Sequence, residues 1–159
     1  MSLAMSAALC FTLASCTNDT NGQAAEPSSR TTTSSTSAVH GHATPIHIKI
    51  GDRTVSATVR DTPTGAALLK QLPRTLEFED LNGAEKVAKL PKELPMKGMP
   101  EGDNPKVGDL GYYAPWGNLV LYYGDVDYWD GIARIGRIDS SDLAAISGQS
   151  GDFTATVAR

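Results

Sequence analysis

From Thr44 onward the chain alternates apolar and polar residues in short runs, each ended by a turn signal. In "PIHIKI", Ile46, Ile48 and Ile50 alternate with His47 and Lys49; in "TVSATV", Val55, Ala57 and Val59 repeat the pattern. A period of two is that of a strand with one buried face. "GDR" between the runs is a tight turn, so the pair predicts a β-hairpin.

The same reading continues to the end of the chain. In "DTPTGAALLKQLP", Thr62 stands as N-cap and Pro63 as first helical residue, with Leu68, Leu69 and Leu72 as the apolar edge and Pro73 as the stop. "TLEFE" (75–79) is a strand with Leu76 and Phe78 on one face, and "EKVAKL" (85–90) is its partner across the Asn82-Gly83 turn. Residues 91–108 carry four prolines and read as a long loop. Strands follow at 109–114 and 118–123, joined by "APWGN", then at 131–138. "SSDLAAIS" is a short capped helix, and "DFTATVA" is a last strand. Eight short strands and two short helices make a mainly β fold. A single sheet of that many strands in so small a domain is expected to close into a barrel, which removes its edges. Fifteen Gly and nine Pro agree with a turn-rich chain.

Ahead of the strands the composition differs. Leu3 to Leu13 is an apolar stretch of h-region length, followed at once by the polar Thr17, Asn18 and Asp19. Leu13-Ala14-Ser15-Cys16 resembles the lipobox of bacterial lipoprotein signal peptides, which implies lipidation of Cys16 and cleavage before it. Two acyl chains anchor a protein stably where one does not. The segment departs from the pattern in having no Lys or Arg before the apolar run. Residues 1–15 are therefore expected to be a signal peptide and residues 16–44 a disordered Thr/Ser-rich tether, "TTTSSTS" being of low complexity. A flexible tether of this length spans about 30 Å, enough to hold residues 45–158 clear of a membrane outside the cytoplasm. With Cys10 removed and Cys16 lipidated, no disulfide and no catalytic thiol is expected.

A formal net charge of −4 and a pI near 5.3 lack the basic face that nucleic-acid binding needs. His40, His42 and His47 have no carboxylate or thiolate beside them, so no metal site or cofactor is expected. Asp125, Asp127 and Asp130 cluster in "GDVDYWDG", interrupted by Tyr128 and Trp129, and read as an exposed acidic hairpin.

Several elements occur together in an order that resembles the bacterial cyclophilin-like domain proteins of uncharacterised function. They are Leu72-Pro73, Asn82-Gly83-Ala84-Glu85-Lys86, Gly108-Asp109-Leu110 and Gly136-Arg137-Ile138. The resemblance covers residues 45–158 and implies a closed eight-stranded β-barrel with two flanking helices. It implies no isomerase activity. The catalytic signature of true cyclophilins, Phe-x-x-x-x-Arg followed by Phe-x-x-Gln-Gly-Gly-Asp, has no counterpart, since the domain's only Phe are Phe78 and Phe153.

The leading expectation is a non-catalytic domain that binds a peptide, protein or small apolar ligand. Trp116 and Trp129 fall in loops, where aromatic side chains anchor partners. Met96 and Met99 in the long loop would form an adaptable rim. The alternative is a divergent prolyl isomerase. It would need a donor to the prolyl nitrogen, for which Arg134 and Arg137 are the candidates. It would also need a slot walled by Tyr122, Tyr123, Trp116, Trp129 and Met99.

Overall fold

The computed structural model describes residues 42–159. Residues 1–15, expected to be a signal peptide, Cys16, His40 and most of the expected tether lie outside them. Among the described residues no helix is long and apolar enough to cross a membrane.

The first hairpin is β1 (Thr44–Ile50) and β2 (Arg53–Val59), in register from Thr44↔Val59 to Ile50↔Arg53. Its six alternating apolar side chains, from Ile46 to Val59, all face inward and are buried. Fully burying an aliphatic side chain of this size is worth about 1.5–3 kcal/mol. Helix α1 (Pro63–Leu69) follows, with the Thr62 hydroxyl accepting from the Gly65 N–H at 3.0 Å. It stops before the expected Leu72. A residue preceding proline is pushed out of the α region, so Leu72 cannot continue the helix into Pro73.

Strands β3 (Arg74–Leu81) and β4 (Glu85–Lys89) flank Asn82 and Gly83, with φ of 55° and 65°. Positive φ at both positions is what an Asn-Gly hairpin turn requires. The next strands are β5 (Gly102–Asp103), β6 (Asp109–Tyr113), β7 (Asn118–Tyr122), β8 (Trp129–Asp130) and β9 (Ile132–Ile138). A 3-10 turn at Ser140–Asp142 leads into α2 (Leu143–Ser147), and β10 (Phe153–Ala158) closes the fold.

Eight strands form a closed antiparallel barrel in the order β1-β10-β3-β4-β7-β6-β9-β2, with β2 back on β1. This is the expected eight-stranded barrel with two short helices. Two features differ from the sequence reading. The long loop contains β5, and "GDVDYWDG" is not a hairpin: its Trp129-Asp130 pairs with Asp103 and Gly102. Strands of two residues leave no periodicity to read. The rest of the long loop is fastened down. Leu90 and Leu94 are buried in the main core, Met96 and Met99 pack against it, and Thr64 donates to the Pro95 carbonyl at 2.5 Å.

The barrel interior holds one large apolar cluster, but one inward-facing residue is a lysine. Lys86, only 1% exposed, sits opposite Asp80 on β3. Its ammonium donates to Asp80 Oδ2 at 2.5 Å and to the Gln149 carbonyl at 2.7 Å, and lies 5.1 Å from the centre of the Tyr123 ring. The Tyr123 hydroxyl donates to the same carboxylate oxygen at 2.5 Å. Paired and hydrogen-bonded in this way, a buried charge is tolerated.

Candidate functional site

A second, smaller apolar cluster lies on the outer wall of the barrel. Val87 on β4, Val120 and Tyr122 on β7 and Ile132 on β9 form it, with Leu81, Tyr113 and Val126 packed alongside. Side chains alternate across each strand, so these residues point away from Leu119, Leu121 and Ala88 in the interior. The outer cluster is the floor of a pocket of about 470 Å³. That volume is in the range of small-molecule and peptide-anchor sites.

The rim comes from turns. Trp116 sits in the β6–β7 turn and Trp129 on β8; they are 53% and 62% exposed, among the few large apolar side chains so open to solvent. Tyr113 meets Trp116 edge to face, with centroids 5.3 Å apart and planes at 80°. The Trp116 carbonyl accepts from the Lys89 ammonium, which fixes the turn.

The floor depends on a glycine. The Tyr122 ring lies across the β6 backbone at Gly111, where an added Cβ would stand 2.5 Å from a ring carbon. Only a residue without a side chain lets the phenol lie flat there. Tyr122 is fully buried, and its hydroxyl has no hydrogen-bond partner among the described residues. Burial, and after it the charge of Glu85, raises its pKa well above the usual phenol value. Glu85 faces Tyr122 across the β4–β7 ladder and lines the pocket. Burial also raises the Glu85 carboxyl above the ordinary carboxylate range.

Of the candidates named from sequence, the structure brings Tyr122, Trp116 and Trp129 together. The others lie elsewhere. Arg134 donates from Nε to Asp103 at 2.7 Å, and Arg137 donates to Asp109 at 2.9 Å. Arg134 also stands 3.6 Å from the second Asp109 oxygen. The Asp109 carboxylate is buried and additionally accepts the Lys106 N–H. The two arginines thus tie β9 to β5 and β6. Tyr123 belongs to the Lys86–Asp80 cluster, and Met99 to the main core.

Glu85, Tyr113 and Gly111 belong to the site although no motif in the sequence singles them out as site residues. For Glu85 a signal existed: it alternates with Val87, opposite Lys86 and Ala88, immediately after a well-marked turn. Among the described residues no group of three His, Cys, Asp or Glu is placed to hold a metal.

A closed eight-stranded antiparallel barrel with two short helices is the fold that the sequence resemblance implies. The sequence profile of the cyclophilin-like family matches residues 48–158, and the chain belongs to that family. The solution structure of a hypothetical protein from Archaeoglobus fulgidus is similar. The two are 17% identical with a TM-score of 0.56, over 77% of this chain and 98% of that one. Likeness at that identity extends to the fold alone. A comparison with curated protein sequences finds no match to this chain.

Proposed function

We propose that this protein is a lipid-anchored binding module. Its cyclophilin-like barrel holds a peptide, a protein segment or a small, largely apolar ligand in the outer-wall pocket without transforming it. The observation that carries the reading is the pocket itself: an apolar floor of Val87, Val120, Tyr122 and Ile132 beneath two exposed indoles. Leaving two tryptophans open to water at the mouth of a cavity is costly in apolar exposure unless a partner covers them. Both arginines named as donors for prolyl isomerisation are engaged by Asp103 and Asp109, which favours binding over that chemistry.

The chain has two tryptophans, and both line the pocket, so its intrinsic fluorescence reports on this site. Titration with a short Ala-Pro peptide is expected to shift the emission and saturate. Proton exchange spectroscopy on the peptide is expected to show no cross-peaks between cis and trans proline signals. Exchange peaks that appear only with the protein would replace the binding reading by catalysis.

The anchor is tested separately. Leu13-Ala14-Ser15-Cys16 supports it, and Cys16→Ala is expected to move the protein from the membrane to the soluble fraction. Unchanged membrane association would sink the anchoring claim.

A further inference from the structure

We infer that the outer-wall pocket selects an organic cation: an ammonium or guanidinium group on an apolar stem. The inference rests on the binding reading above and names the ligand class for that same pocket.

The charges around the pocket decide the class. No lysine, arginine or histidine lines it; its charged lining groups are Glu85 and Asp125. Asp125 is already committed: it accepts the Val107 N–H at 3.0 Å and stands 3.6 Å from the Lys106 ammonium. Glu85 is different. Among the described residues its carboxylate has neither an ion-pair partner nor a hydrogen bond, although it is half-buried at the edge of an apolar floor.

Three ligand classes can be weighed against this arrangement. An anion would meet Glu85 with no opposing positive charge. A neutral apolar ligand would cover Glu85 further and leave its charge unpaired, which is unfavourable. A cation gives the carboxylate its missing partner. It also stands against the rings of Tyr113, Trp116 and Trp129, whose faces are negative and attract cations, tryptophan most strongly. Carboxylate and rings lie around one cavity, so one ligand can satisfy both. Burial holds the Glu85 carboxyl above its usual range, as expected where no cation is at hand.

A free amine and a Lys or Arg side chain on a peptide share this chemistry. The test uses tryptophan fluorescence of the full chain and two matched pairs of probes. One pair is choline and dimethylbutanol, its neutral isostere. The other is a short Ala-Pro peptide carrying lysine and the same peptide carrying norleucine. In at least one pair the cation is expected to bind about tenfold more tightly, a difference of about 1.4 kcal/mol. Glu85→Gln, which keeps the shape and removes the charge, is expected to weaken the cation, not the neutral probe, and so to narrow that difference to what the rings alone supply. A preference confined to the peptide pair assigns the cation to a peptide; one confined to choline assigns it to a free ligand. Equal affinities within both pairs would overturn cation selection and leave the binding reading standing. A preference undiminished in Glu85→Gln would overturn the role given to Glu85. Absence of binding by all four probes would overturn both the inference and the binding reading.

Discussion

Asp80→Ala is expected to destabilise the barrel by about 3 kcal/mol, the lower end of the range for breaking a buried ion pair. The lower end applies because Asp80 is one-third open to solvent, whereas Lys86 is buried. Without the carboxylate, the ammonium inside the barrel keeps only the Gln149 carbonyl and the Tyr123 ring. Urea denaturation of wild type and variant measures the difference. A loss below about 0.5 kcal/mol, the level of an ordinary surface change, would mean that Lys86 finds another partner.

The same cluster sets a pH dependence with two signs. Asp80 has its pKa lowered, first by Lys86 and then by Tyr123. Its contribution is complete above the unfolded carboxylate range and is lost as pH falls through that range to the folded value. Tyr123 runs the other way. The hydrogen bond to Asp80, and burial after it, push its pKa up to about 12 from 10.0. Its share is complete below the unfolded value and is lost as pH rises towards 12. In Asp80→Ala the absorbance titration of Tyr123 is expected to fall back towards the ordinary tyrosine value.

Gly111→Ala is expected to cost about 2 kcal/mol, within the usual range for overpacking, and to disturb the pocket as well. The new methyl would stand 2.5 Å from the Tyr122 ring, which is fully buried and packed among Val87, Val120 and Ile132. The ring cannot swing aside without lifting the pocket floor. Loss of stability in urea should therefore accompany a changed tryptophan emission and weakened ligand binding. A variant that loses stability but keeps the emission and binding of wild type would show that the floor does not rest on Gly111.

Much of the fold is legible in neighbouring residues. The alternation of Ile46 to Val59 marks the first hairpin, Asn82-Gly83 marks the second, and Thr62-Pro63 marks the start of α1. Each signal is local: a side-chain period, a residue tolerant of positive φ, a cap and a ring-fixed φ. The two-residue strands β5 and β8 left no such signal. Their pairing joins segments far apart in the chain, and only the tertiary structure brings Gly102 to Asp130.

The site was less legible than the fold. In sequence, Trp116 and Trp129 stand out as loop aromatics and, with Tyr122, as candidate slot walls. "LVLYY" by itself does not tell Tyr122 from Tyr123. The strand's period puts Tyr122 on the outer wall, while Tyr123, one residue past the strand's end, turns to Asp80. Arg134 and Arg137 are candidate donors in sequence, and their pairing with Asp103 on β5 and Asp109 on β6 depends on contacts between strands remote in the chain.

The eight barrel strands, the first two turns and the family elements are legible in the sequence, because each depends on residues within a few positions of one another. The pairing of β1 with β10 and of β2 with β9, the irregular register at Leu110/Gly111 and the meeting of Glu85 with Tyr122 and the two indoles exist only in the folded barrel. The physical reason is register. A strand's period says which residues share a face, but which faces meet, and which residues stand opposite, depends on hydrogen-bond pairing between strands remote in the chain.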